Sequence, residues 1–145
     1  MIQRVLVVCI GNICRSPMAE GLFKHLLPNI KTSSAGMMAL VGHGADPIAV
    51  QIMSKRGIDI SAHRARMLTE PIIRDTDLIL VMDTMQRHQL LAEYPYTQGK
   101  VFRLGETADQ DISDPYLQGP EAFQAAFSNI ESAAGDWVKR IKSIG

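Results

Sequence analysis

Arg4-Val5-Leu6-Val7-Val8-Cys9, followed at once by Ile10-Gly11-Asn12-Ile13-Cys14-Arg15-Ser16-Pro17, decides how this chain is read. The first six residues form an unbroken apolar, β-branched run. Without polar alternation, such a run fits a strand buried on both faces, as in a parallel sheet. Gly11 and Asn12 then interrupt it, and both tolerate unusual backbone angles. Ser16-Pro17 reads as a helix start, with serine as N-cap and proline at the first helical position. A buried strand, a short loop and a helix N-terminus therefore follow one another directly.

Outward from this segment, a helix is predicted over 17–27, with Met18, Leu22 and Leu26 on one stripe. A short strand is expected over 30–34, and Gly36 to Gly44 is loop-like. Pro47 opens a second helix to about Arg56, closed by Gly57. Residues 77–82 repeat the buried-strand signature, 84–93 read as a helix, and Lys100–Leu104 as a fourth strand. Residues 105–119 form an acidic loop containing Asp114-Pro115-Tyr116. After Pro120 a final helix carries Phe123, Phe127, Ile130, Ala134, Trp137 and Ile141 on one face. This alternation predicts one α/β domain over 1–145, a four-stranded parallel sheet flanked by helices on both faces. Its ligand loop would follow strand 1, beyond the carboxyl ends of the strands.

Composition narrows the function classes. Of 145 residues, 46% are hydrophobic and 21% charged, enough apolar content for a core of its own. Fifteen basic and fifteen acidic side chains balance, which argues against a nucleic-acid or membrane-surface binder. The halves differ: residues 1–66 hold 8 basic and 3 acidic side chains, net +5, and residues 67–145 hold 7 and 12, net −5. An anion site belongs more naturally in the first half, although chance unevenness accounts for the split as well. Two cysteines make no disulfide scaffold. With no signal-peptide layout and no bilayer-length apolar run, a reducing cytoplasm and no membrane insertion are expected. His25, His43, His63 and His88 lack metal-ligand spacing, so no metal is expected. Gly42-His43-Gly44 lacks the third glycine of a dinucleotide loop.

The loop has the parts for thiol attack on a phosphate ester. A free thiol titrates near ~8.5, so a nucleophilic cysteine needs surroundings that favour its anion. A helix N-terminus, converging backbone N–H groups and a guanidinium do so, and the same features bind a phosphate dianion. Arginine adds a planar, two-pronged donor for two phosphoryl oxygens. Taken alone, Cys9 reads as a core cysteine at a strand end, and Asp114 as a turn residue before proline. Beside Arg15 and Ser16-Pro17, the nucleophile reading of Cys9 leads. Glu106, Asp109 and Asp111 read as a solvated face, with Asp111 a second candidate acid.

Val7 to Pro17 closely resembles the signature of the low-molecular-weight protein-tyrosine phosphatases, and Asp114-Pro115-Tyr116 resembles that family's acid loop. The resemblance extends through Ser34-Ala35-Gly36, Ala62–Arg66 and Asp77–Asp83. It implies that Cys9 attacks phosphorus, that Arg15 with the Ile10–Ser16 loop holds the phosphoryl oxygens, and that Asp114 is general acid and then base. Asn12, Ser16, Ser34 and His63 would support the loop, and Leu40 and Tyr116 would wall the substrate ring. Cys14 is either a packing residue or a redox partner for Cys9. Ser16 either caps the helix or offers its hydroxyl to the thiolate, or both.

Leu40-Val41-Gly42 resembles the bacterial branch, many eukaryotic members carrying an aromatic residue there. That branch implies a phosphotyrosine protein as partner, a bacterial tyrosine kinase of capsule or exopolysaccharide export, acted on by a monomer or weak dimer without cofactor. Two other functions fit the loop. Thiol-linked arsenate reduction would need further cysteines, and a phosphotyrosine-binding module would lack the nucleophile or the acid.

Overall fold

Four strands, β1 (Arg4–Cys9), β2 (Lys31–Gly36), β3 (Leu78–Val81) and β4 (Val101–Arg103), form one parallel sheet in the order β2-β1-β3-β4. The computed structural model describes residues 1–144. Five helices connect or follow the strands: α1 (Arg15–Leu26), α2 (Pro47–Lys55), α3 (Glu70–Arg74), α4 (Thr84–Glu93) and α5 (Pro120–Ile144).

The apolar run of β1 splits between two cores, as side-chain alternation requires. Val5 and Val7 join Leu78 and Leu80 under α1, α2 and α5. Leu6 and Val8 join Ile79 and Val81 against Ile73 of α3 and Leu90 of α4. All four of these β1 side chains are at most 1% exposed, each contributing about 1.5–3 kcal/mol of burial. The six apolar positions expected on the last helix are all buried on α5, and Trp137 Nε1–H donates to the Leu104 carbonyl at 2.8 Å.

β1 has β2 on one side and β3 on the other. Its carboxyl end is therefore a topological switch point, the crevice where ligands bind in open α/β sheets. Cys9 is the last residue of β1 and lies beside Gly36, the last residue of β2.

Several expectations need correction. The first helix begins at Arg15, not Pro17; Met18 and Leu22 are buried as expected, but Leu26 is exposed and Phe23 completes the buried face instead. β2 runs on to Gly36, which belongs to the strand and not to the loop after it. α3 was not expected. At five residues it is too short to show a periodicity, although Pro71 in its first turn marks it. No helix among the described residues is long and apolar enough to cross a membrane.

Candidate active site

Five consecutive carbonyls of the loop after β1 are bonded to groups outside it. Met37 N donates to Cys9 O at 3.0 Å, Met38 N to Ile10 O at 2.9 Å, and Leu40 N to Gly11 O at 3.1 Å. Asp46 N donates to Ile13 O at 2.8 Å. The Asn12 carbonyl is 2.6 Å from His63 Nε2. A carbonyl only accepts, so that ring nitrogen carries the proton. No described peptide bond is cis, and across a trans peptide C=O and N–H point in opposite directions. With the carbonyls of residues 9–13 turned outward, the N–H groups of Ile10, Gly11, Asn12, Ile13 and Cys14 turn into the loop. The result is a concave nest of donors suited to an anion. Asn12 N–H is directed at Cys9 Sγ, 3.3 Å away.

Asn12 holds this shape. It is fully buried at φ 60°, the left-handed region that asparagine tolerates better than most residues. Its Nδ2 donates to Ser16 Oγ at 2.8 Å and to Ser34 Oγ at 2.9 Å, and its Oδ1 accepts from Arg66 N at 3.0 Å. Ser34 in turn donates to Glu20. Because Ser16 Oγ accepts from Asn12, its own hydrogen is available to Cys9 Sγ, 2.9 Å away. Ser16 is therefore not the helix cap. The N-cap position falls on Cys14, with no side-chain cap bond. Gly11 has an ordinary φ, and a Cβ there would meet nothing closer than 3.7 Å. A close approach does occur at Gly36, where a Cβ would lie 2.5 Å from the Ile10 carbonyl oxygen.

Arg15 is 3% exposed. Its Nη1 donates to Ile112 O at 2.8 Å, with Asp83 Oδ2 at 3.5 Å, and Asp114 Oδ2 lies 3.8 Å from Nη2. A buried guanidinium needs opposite charge nearby. The two carboxylates supply it at distances that leave the donor fork uncommitted, because only one of its five N–H groups is bonded among the described residues. Asp114 Oδ1 accepts from Tyr116 N at 3.1 Å, which fixes the carboxyl at the rim. Cys14 is buried, and its thiol is pushed up to about 12. Burial is the main cause, with negative charge on Asp46, Cys9 and Asp114 adding to it against Arg15. Cys14 thus stays a neutral thiol beside Cys9, and both cysteines are free.

Cys9, Arg15 and Cys14 close the buried end of a cavity of about 250 Å³, whose walls include Met38, Leu40, Asp114 and Tyr116. Leu40 and Tyr116 are about 40% exposed, at the mouth. A larger depression of about 590 Å³ beside α1 and β2 touches Ser34 and His63 but neither Cys9 nor Arg15, so it lies apart from the chemistry.

Residues 4–144 match the family described as low molecular weight phosphotyrosine protein phosphatase. The chain belongs to this family. A probable low molecular weight protein-tyrosine-phosphatase EpsP of Ralstonia nicotianae is 49% identical over the full length of both chains. Among solved structures, Wzb of Vibrio vulnificus in complex with benzylphosphonate is 38% identical at TM-score 0.93, covering 97% of this chain and 99% of that one. The Erwinia amylovora tyrosine phosphatase AmsI is 41% identical at TM-score 0.93, covering 97% and 93%. The protein is a protein-tyrosine phosphatase with the expected α/β fold.

In this phosphatase the sequence-predicted residues converge: Cys9, Ile10, Gly11, Ile13, Cys14, Arg15, Asp114, Leu40 and Tyr116 meet at the cavity, with Asn12, Ser16, Ser34 and His63 bonded within or to the loop outside that lining. One group near the site was given no role by the sequence reading. Asp83 caps α4, accepting from Gln86 N at 2.8 Å, while its other oxygen faces Arg15. Its signal was an aspartate closing the β3 signature, at the same sheet edge as Cys9. The acidic stretch is not simply a solvated face, and Asp111 is not placed as an acid. Glu106, Asp109 and Asp111 all bond Arg103 at 2.5–3.1 Å. Asp111's carboxyl is held below its ordinary value: burial opposes this, but hydrogen bonds from Arg103 and Thr84 outweigh it.

Proposed function

We propose that the phosphatase hydrolyses phosphotyrosine on proteins through a phosphocysteine intermediate. The observation that carries this reading is the outward bonding of the loop carbonyls, which turns five N–H groups into the loop that begins at Cys9, with Arg15 lining the same cavity. In the first step the Cys9 thiolate attacks phosphorus and the S–P bond forms. The P–O(aryl) bond breaks, and Asp114 gives its proton to the departing phenolate. In the second step Asp114 takes a proton from water as the water oxygen bonds to phosphorus. The S–P bond then breaks, and the thiolate leaves toward the Ser16 hydroxyl. Arg15 and the loop N–H groups bind the equatorial oxygens throughout, where transition-state charge develops. This sequence needs no metal or cofactor, because the sulfur is the nucleophile and the arginine supplies the charge.

The cavity walls favour an aryl ester. Leu40 and Tyr116 stand at the mouth while Cys9 is 3% exposed at the buried end, an arrangement that favours a long aryl ester over a short phosphoserine side chain. The bacterial character of the Leu40 region supports a tyrosine kinase of polysaccharide export as the physiological substrate.

Turnover of p-nitrophenyl and phenyl phosphate by the wild type, Cys9→Ser and Asp114→Ala, with acid-quench trapping of the phosphoenzyme, tests the mechanism. Cys9→Ser should lose turnover and the trapped species. Asp114→Ala should lose about 10²–10⁴-fold in kcat/KM on phenyl phosphate. A Cys9→Ser enzyme that still turns over would exclude the covalent route.

A further inference from the structure

Arg103 lies on β4, away from the cavity that holds Cys9, yet its guanidinium is the hub of the best-connected ion cluster on the acid-loop side. Nη2 bonds Glu106 at 3.0 Å and Asp109 at 2.5 Å, and Nη1 bonds Asp111 at 3.1 Å. Asp111 Oδ1 also accepts from Thr84 N and Thr84 Oγ1, at 3.1 and 3.0 Å. From Asp111 the connection to the reacting centre is short. Ile112 N donates to Met82 O at 2.8 Å, and Ile112 O receives Arg15 Nη1 at 2.8 Å. Two residues later stands Asp114.

We propose that Arg103 is a positioning residue for proton transfer, clasping Asp111 so that residues 112–114 present the Asp114 carboxyl to the leaving group. The inference rests on the reading of Asp114 as general acid. Its physical content is a division of labour among the three carboxylates. The Asp111 side chain is half exposed but is shared between Arg103 and the first turn of α4. The Asp109 side chain is 89% exposed, and among the described residues its carboxylate bonds only Arg103. An ion pair so exposed is held weakly, so Asp109 contributes charge but does not fix the loop.

The test compares kcat/KM for phenyl phosphate, whose leaving group needs protonation, with p-nitrophenyl phosphate, whose leaving group needs little. The enzymes are the wild type and the variants Arg103→Gln, Arg103→Lys, Asp111→Asn, Asp109→Asn and Asp114→Ala, each with its thermal melt. Misplacing a catalytic group by an ångström costs on the order of 10²-fold, and a partly loosened loop should show about a tenth of that. Arg103→Gln and Asp111→Asn should therefore lose about tenfold on phenyl phosphate and only two- to threefold on p-nitrophenyl phosphate. Arg103→Lys should recover part of the difference, and Asp109→Asn should keep the wild-type ratio.

A uniform loss on both substrates, or a lowered melt with an unchanged ratio, would overturn the proposal, because a purely structural role does not discriminate leaving groups. If Asp114→Ala shifts the ratio and neither Arg103→Gln nor Asp111→Asn does, Arg103 falls and the acid stands. If Asp114→Ala leaves the ratio unchanged, the acid assignment falls and Arg103's role falls with it.

Discussion

Replacing Gly36 by alanine tests whether the catalytic loop is held in place by β2. Gly36 has no positive φ, so alanine is not strained by its backbone angles and the effect is purely steric. The added Cβ would lie 2.5 Å from the Ile10 carbonyl oxygen and 3.0 Å from Asn12 Cβ. Real Cβ contacts stop near 3.0 Å, so something must move by at least 3.0 − 2.5 = 0.5 Å. Neither side is free to do so. Gly36 N donates to Arg66 O and Gly36 O accepts from Leu68 N, both at 2.9 Å, while Ile10 O is held by Met38 N at 2.9 Å. The overpacking should cost about 1–3 kcal/mol of stability. A half-ångström displacement of the loop beneath phosphorus should lower kcat/KM by about 10-fold, given that a full ångström costs on the order of 10²-fold. Steady-state kinetics on p-nitrophenyl phosphate and urea denaturation measure the two effects separately. Gly36→Ala with kcat/KM within twofold of wild type would refute the claim that this contact sets the loop position.

Asp83→Asn should keep the α4 cap, since asparagine caps as well as aspartate, and so hold stability within about 0.5 kcal/mol. Losing the carboxylate 3.5 Å from Arg15 should still reduce kcat/KM by about three- to tenfold; kinetics beside a melt separate the two, and wild-type kinetics would remove Asp83 from Arg15's orientation. The Cys14 thiol rises from 9.0 unfolded to about 12 folded, so its neutral form stabilises the fold fully below pH 9, and that contribution is lost as pH rises from 9 toward 12. Unfolding free energy should therefore fall by about 1 kcal/mol more between pH 8 and pH 10 in the wild type than in Cys14→Ala, measured by urea melts at both pH values; equal losses would show that Cys14 is not the group responsible.

The parts of the fold and site legible in the sequence are those where side chains do the work. Val5–Val8 announced a doubly buried strand because both faces require apolar residues. The α5 face was readable because one stripe buries Phe123, Phe127, Ile130 and Trp137. Cys9, Arg15 and Asp114 were singled out through the motifs around them, since alone Cys9 reads as a core cysteine and Asp114 as a turn residue; the structure brings all three to one cavity. Ser16 was misread as a cap because local rules see only the neighbouring helix. In the fold its hydroxyl is taken by Cys9 and Asn12, partners 7 and 4 residues away across a loop whose path depends on Asn12's left-handed turn. The solvated-face reading fits Asp109, whose side chain is 89% exposed, but it missed that β4 brings Arg103 into the centre of Glu106, Asp109 and Asp111.

The support around the catalytic loop was the least legible part, and the reason lies in which atoms provide it. Of the five donors that turn the loop carbonyls outward, four are main-chain N–H groups, of Met37, Met38, Leu40 and Asp46; only His63 acts through its side chain. A backbone donor constrains the path of the chain and leaves the residue type almost open, proline excepted. Met38 is 72% exposed and lines the mouth of the cavity while its N–H fixes the loop. The two demands fall on different atoms of one residue. The side chains of Met38 and Leu40, which line the cavity, can therefore vary to suit different substrates without removing the bonds that shape the nest. His63 and Asn12 lack that freedom, because their side chains are themselves the bonds that hold the loop.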